Sequence, residues 1–511
     1  MEKSGTDINV NSSPDTYGHE ETHLELQRHS TEEILSLGKW YDRKLVPGLP
    51  QYSHAMIQIV MLAFVVFMTP GMYNALTGIG ASISDVTTSN NATVALYSTF
   101  ASIGFFGGTI CNMIGPRACL IFGGFGYALY SGSLLCFQHT ENKGFVIFSG
   151  AFLGICASCL WAAQGTIIMS YPTENTKGRA IMVFWIIFNL GAVIGSIIPL
   201  ANNMNNKSSS ANDGTFIAFI ILMCCGSIIA CFMLPMSKVW KADNTRVLTQ
   251  KHPHWKDELI RMARLLKDKP SIFFMFPMFF ASNWFYTYQF NDFNLGRFDL
   301  RTRSLNSLLY WLAQMVGAII IGTVLDMNRF RRVTRSRIGW GILFITGMAI
   351  WGGGLKFQQG FTRETADPTK PKLTPIDYKD GSYIGPMFLY IFYGMYDAMF
   401  QTFIFWSLGT MSNNPKTVSL YAGFYKGIQS AAAAIAWRLD ALQKPYMAMF
   451  ASSWGLVHGS LLIAAPLLLF RVSDHTTVEE DGLQEVVAAD ELKSVKSVVH
   501  STAVSMHEDV V

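Results

Sequence analysis

The chain has 511 residues, 50% of them hydrophobic and only 14% charged, with a mean hydropathy of +0.26. Soluble proteins carry about 25% charged residues, so this composition excludes an ordinary soluble domain and points to the membrane. A net charge of +4 says little by itself, and no nucleic-acid partner is expected.

Residues 1–53 are polar, rich in Ser, Thr, Glu and His, and read as a largely disordered cytosolic segment. No signal peptide precedes the first apolar run, which is therefore expected to act as the signal anchor. That run, Ala55–Leu76, contains Pro70-Gly71 followed by Tyr73 and Asn74. Pro-Gly frees backbone groups, so this helix is either a kinked span or a broken helix lining a transport site. Runs of spanning length follow at about 93–112, 117–137, 144–169, 180–200 and 215–236, closing a first half of six, residues 54–237. Residues 238–270 form a hydrophilic link in which Trp255, Leu259, Met262 and Leu266 share one helical face opposite Lys256, Arg264 and Lys267. A basic amphipathic helix of this kind is expected to lie on an anionic leaflet. A second half, 271–470, has runs at about 271–290, 305–325, 337–355, 383–408, 417–437 and 446–470, and an acidic cytosolic tail occupies 471–511.

The basic link and the cluster Arg329, Arg331, Arg332, Arg335 and Arg337 read as cytosolic. Parity then places both termini in the cytosol, and the N-x-S/T sequons at Asn91 and Asn206 fall in outer loops as glycosylation sites. Asn11 also matches but lies on the cytosolic side, and Arg297, Arg301 and Arg303 in an outer loop run against the charge rule. Eight cysteines are scattered mostly in apolar runs, and Cys156-x-x-Cys159 reads as packing. With no Walker A loop, H-E-x-x-H or G-x-S-x-G, no enzyme, metal site or cofactor is expected.

Two charges stand out within the second half. Leu420–Trp437 (LYAGFYKGIQSAAAAIAW) is an apolar helix holding one lysine, Lys426, amid Gly423, Gly427, Ser430, Ala431 and Ala434. A lysine at mid-bilayer costs roughly 2.5–3.5 kcal/mol, so it is expected to face an interior, either pinning helix packing or lining a cavity. Small residues such as the Gly423-x-x-x-Gly427 pair let a second helix approach closely. On the preceding helix Tyr390, Tyr393, Asp397 and Gln401 share one face, and Asp397 is its one acid. Asp397 lies 16 residues before Asn413, the centre of the turn, and Lys426 lies 13 after it. The difference is roughly 4.5 Å of helix rise, so the two sit at similar depth and are expected to pair. The first half offers a neutral analogue: Trp161 and Gln164 on one helix, Trp185 and Asn189 on the next, about a turn centred on Asn175. With Asn74, Asn283 and Gln289 these polar groups outline a central site.

The halves also repeat. Gly108-Thr-Ile-Cys-Asn112-Met-Ile-Gly115-Pro-Arg117 matches Gly322-Thr-Val-Leu-Asp326-Met-Asn-Arg-Phe-Arg331 at an offset of 214. Two six-helix halves with a long link resemble major facilitator superfamily transporters, including the loop signature G-x-x-x-D-R-x-G-R-R. The resemblance implies a twelve-helix, all-α, two-halved fold in which these loops take part in conformational switching. Asn112 and Met113 depart from the signature's Asp and Arg, and Asp326 alone keeps the acid. PGMYNALTGIG (Pro70–Gly80), YPTENTKGRAIMVFWIIFNLGAVIGS (Tyr171–Ser196) and YAGFYKGIQSAAAAIAW (Tyr421–Trp437) further resemble the Unc-93-like membrane proteins, in particular their fungal branch. That resemblance implies a twelve-helix facilitator-type fold and a link to potassium-channel regulation or to the escort of receptors. The repeat, the interrupted first helix and the buried charges point to a transporter of a small solute or ion; the alternative is a regulatory or trafficking subunit for a membrane channel or receptor.

Overall fold

In a computed structural model, residues 40–44, 47–78, 86–173, 175–205, 213–243, 245–247, 255–366 and 372–474 are described. They are helical apart from turns, loops and isolated bridges.

The first apolar run is α1 (Ala55–Val66), started by His54, whose Nδ1 accepts from the Met56 N–H at 3.1 Å. Pro70 lacks an N–H, and the ladder around it widens into a π-helical stretch, Phe67–Gly71, before α2 (Met72–Gly78) continues. α3 (Val86–Ile114) and α4 (Pro116–Thr140) meet at Gly115, whose φ of +86° suits glycine, with proline as the first residue of the new helix. α5 (Lys143–Ser170), α6 (Lys177–Asn205) and α7 (Asp213–Phe232) complete the first group, and α8 (Trp255–Asp268) is the amphipathic link. α9 (Phe276–Thr287) runs into a second π-helical stretch, Tyr288–Leu295, which the sequence did not signal. α10 (Leu300–Leu325), α11 (Arg332–Gln358), α12 (Ile384–Met411), α13 (Pro415–Ala441) and α14 (Tyr446–Phe470) follow.

Eight helical stretches among the described residues are long and apolar enough to cross a membrane, Ala55–Leu76 and Tyr446–Phe470 among them, with a shorter apolar one at Phe216–Phe232. α12 and α13 are long enough but carry Tyr, Gly, Ser and Gln among their apolar residues, and both are largely buried. Interior helices have this makeup, whereas outer helices expose Phe148, Ile221, Phe232 and Ile345, as lipid contact requires.

The small face of α13 meets α3. A Cβ on Gly108 would lie 2.2 Å from the Ser419 carbonyl oxygen, and one on Gly427 would lie 2.6 Å from the Phe105 nitrogen. Only hydrogen fits at these positions, and the contact joins the first half of the sequence to the second.

Three expectations are revised. Residues 47–54 pack onto the link: Trp240 N–H donates to Ser53 O (2.9 Å) and Ala55 N–H to Trp240 O (2.8 Å), while Tyr52 reaches Phe232 O. Asn91 lies in the first turns of α3, exposed, rather than in a loop, because the helix starts earlier than its apolar residues do. Asn206, like Asn11, lies outside the described residues. Of the three arginines expected in an outer loop, two are engaged by neighbours: Arg301 pairs with Asp299 (3.3 Å) and with Asp377, and Arg297 donates to Thr374 O, while Arg303 is half-buried.

Candidate functional site

Tyr390, Tyr393, Asp397 and Gln401 are all buried along α12. Four donors approach the Asp397 carboxylate, one of them, Tyr310, shared with Gln289. Oδ2 takes Tyr286 Oη at 2.7 Å, Gln314 Nε2 at 2.6 Å and Tyr310 Oη at 3.2 Å, and Oδ1 takes Gln401 Nε2 at 2.8 Å. Donors from α9, α10 and α12 thus converge on one acid.

On α13, Lys426 is 4% exposed. Its ammonium donates to Gln429 Oε1 at 2.8 Å and stands over three rings: Trp161 (4.5 Å), Tyr425 (4.7 Å) and Phe405 (5.2 Å). The expected ion pair with Asp397 is not formed. Two amides stand between the charges: Gln429 Nε2 donates to Gln401 Oε1 (3.2 Å), and Gln401 Nε2 donates to the carboxylate. Gln429 also reaches Ser282 Oγ at 2.9 Å. Gln401 and Gln429, each one turn from a charge on its own helix, fill the gap.

Beside Lys426 is a cavity of about 100 Å³ between the two halves of the sequence. Asn74, Trp161 and Trp185 line it from the first half, and Gln401 and Lys426 from the second, as expected. Asn283, Tyr286, Gln314 and Gln429 also form its wall, with aromatic cover from Tyr73, Tyr97 and Tyr127. The other expected residues lie off it. Gln164 is fully buried with neither amide atom hydrogen-bonded, and Asn189 donates to Trp185 O at 3.0 Å. Gln289 accepts from Tyr310 (2.8 Å), and Tyr393 packs on Trp351 with ring centroids 4.9 Å apart. Asp397 sits behind Gln314 and Gln401. The signals missed were Gln314, one polar residue in an apolar run, and Gln429, three residues after Lys426.

At the end of the bundle that carries Arg329–Arg337, the repeated loops join the two halves. Asp326 follows α10 and accepts from the backbone N–H of Gly178 (2.7 Å) and of Arg179, capping the start of α6. Burial raises the Asp326 carboxyl above its usual value, against the pull of these N–H groups and of the Arg335 and Arg179 guanidiniums. Lys177 donates to Gly409 O and to Asn413 Oδ1 (2.8 Å). In the eroded copy Asn112 donates to Lys416 O at 3.3 Å, and beside it Ser419 bonds Gly108 O at 2.9 Å. Arg117 bonds Cys231 O within its own group, Gly322 packs on Met182 and Gly178, and Arg331 precedes α11.

Residues 89–449 match the family described as ion channel regulatory protein UNC-93. A UNC93-like protein of Schizosaccharomyces pombe is 49% identical over 433 residues, 84% of this chain and 86% of that one. UNC93-like protein 1 of Arabidopsis thaliana is 38% identical over 83% of this chain and 92% of its own length. Among solved structures, the fold is similar to the E. coli fucose:proton symporter FucP (TM-score 0.54, 10% identical, covering 82% of this chain and 98% of that one). It is also similar to the proton:xylose symporter XylE (TM-score 0.56, 12% identical, 84% and 98%). At such low identity these two establish a major-facilitator fold and nothing about substrate.

Proposed function

The chain belongs to the UNC-93 family, and we propose that it is a carrier that moves a small solute through its central cavity by alternating access. The observation that carries this reading is the cavity itself: it lies between the two halves, is walled by polar residues from both, and holds a buried lysine with no ion pair. Taking the bent α1–α2 unit and the α9–Leu295 unit as one span each gives twelve spans, six per half, with the residues 238–270 link between them. The basic loop at Arg329–Arg337 favours a cytosolic location for that end and, with twelve spans, for both termini. The Asp326, Lys177 and Asn112 bonds then form a cytosolic latch, and Gly108, Gly115, Arg117, Gly322 and Arg331 belong to the loops that would move when it opens. Asn91 and Asn206 would face outward as sites for glycosylation.

The test has two steps. Ion and small-metabolite content compared between cells with and without the protein nominates a solute, and counterflow of that solute into proteoliposomes holding this chain alone measures carriage. Saturable counterflow is expected, and its absence for every nominated solute would refute carriage. A second reading, a subunit that regulates an ion channel, is favoured by the family description and by the loss of the acid at Asn112. It predicts stabilisation by a partner chain and none by a solute.

A further inference from the structure

Two donor groups at the wall of the central cavity lack acceptors. Lys426 has three N–H donors and uses one in a hydrogen bond, to Gln429; its other close neighbours are ring faces, which offer no lone pair. Trp185 lines the same cavity, and its indole Nε1, which can only donate, is buried without an acceptor. The Trp161 indole, by contrast, already donates to Tyr127 Oη at 3.3 Å. No Asp or Glu of the described residues lines the cavity, and the nearby Asp397 spends its oxygens on four donors. A cation entering this space would meet an ammonium and no carboxylate. An anion would supply the acceptors that Lys426 and Trp185 lack.

Size and wall chemistry narrow the class. A volume of about 100 Å³ is well below the roughly 300–1,000 Å³ of pockets that hold drug-sized ligands, which suits a small solute. Leu96, Phe100, Leu153, Ala157 and Phe188 contribute apolar surface, so a carbon skeleton is favoured over a bare halide. One wall acceptor is also unpartnered, Gln314 Oε1, which gives a hydroxyl on the solute a place to donate. Resting on the reading of this cavity as the solute site, we infer that the cavity binds a small monovalent carboxylate of two or three carbons, held by Lys426 and the Trp185 N–H.

The test is ligand-dependent thermal stabilisation of the full chain in nanodiscs, in sodium sulfate buffer of fixed ionic strength. Sodium acetate and sodium lactate are the probes, with sodium chloride and potassium sulfate as comparisons. A saturable rise in melting temperature with acetate or lactate is expected. Lys426→Gln should weaken binding by about tenfold or more, and Trp185→Phe, which removes the N–H and keeps a ring, by about three- to tenfold. Lys426→Arg keeps the charge and guards against misfolding: folded by size-exclusion, it should retain carboxylate binding. No saturable shift with either carboxylate, an equal shift with chloride, or shifts unaltered in both Lys426→Gln and Trp185→Phe would overturn the inference. Carboxylate binding without counterflow would leave this site standing and sink carriage, whereas counterflow of a neutral or cationic solute without carboxylate binding would do the reverse.

Discussion

The chain Asp397–Gln401–Gln429–Lys426 has a direction, and Asp397→Asn reverses one end of it. A carboxylate only accepts and an ammonium only donates, so the two glutamine amides between them have one satisfying orientation each. Asparagine has nearly the same shape. If its oxygen takes the Oδ2 position it keeps Tyr286, Tyr310 and Gln314, but its NH₂ then faces the Gln401 NH₂. Turning Gln401 relieves that clash and sets its NH₂ against Gln429; turning Gln429 in response sets an NH₂ against Lys426. The mismatch can be moved but not removed, so the substitution should cost about one hydrogen bond to a charged group, about 1.5–3 kcal/mol. Asp397→Ala strands Tyr286, Gln314 and Gln401, while Tyr310 keeps Gln289, and should cost more, about 3 kcal/mol or above. Replacing the other end as well, Asp397→Asn with Lys426→Met, frees both amides to reverse, and the double variant should lose about 1 kcal/mol less than the two singles together. Reversible unfolding in detergent micelles, followed by size-exclusion and denaturant titration, reads all four variants. Asp397→Asn within about 0.5 kcal/mol of wild type, or strict additivity in the double variant, would refute the directional network.

Asp326→Ala uncovers two N–H groups at the start of α6, so a loss of about 0.5–2 kcal/mol is expected from the cap. A cysteine placed at Gly409, beside Lys177, should then react faster with a membrane-impermeant thiol reagent from the cytosolic side; an unaltered rate would count against the latch. Gly108→Val should abolish folded yield, since even a Cβ there would lie 2.2 Å from the Ser419 oxygen, and normal yield would contradict the α3–α13 packing. Gln164→Leu should be neutral or stabilising by about 1–3 kcal/mol, because it removes a buried amide with no partner; destabilisation measured by thermal unfolding would mean the amide is satisfied after all.

Helix positions and the polar face of α12 were legible because both depend on local spacing. Asp397 and Lys426 were legible as interior charges because the membrane makes any ion in an apolar run conspicuous. Their relation was not, because depth gives a height and not an azimuth, and a glutamine one turn away is enough to intervene. The Trp161 ring over Lys426 was hidden for a further reason: it comes from the other half of the chain, 265 positions away. Pro70 announced the π-helical stretch in the first helix, but the one at Tyr288–Leu295 has no proline or glycine to mark it. The Asp326 cap was half legible: the repeat singled out the acid, while its partners are backbone N–H groups that no side-chain pattern encodes.

The missing ion pair bears on why Lys426 is tolerated at all. Inserting a lysine at mid-bilayer costs roughly 2.5–3.5 kcal/mol. Three ring faces at about 0.5–2 kcal/mol each, and one hydrogen bond to the charge at about 1.5–3, are enough to offset that cost without a carboxylate. Had Asp397 supplied the compensation directly, the ammonium would be neutralised and its donors spent. Because Tyr286, Tyr310, Gln314 and Gln401 occupy the acid instead, the positive charge is stabilised where it stands and still unsatisfied toward the cavity. A lysine kept only for packing would gain from a direct pair. One held by rings and amides retains unspent donors at the cavity wall, which is the arrangement a solute-binding charge needs.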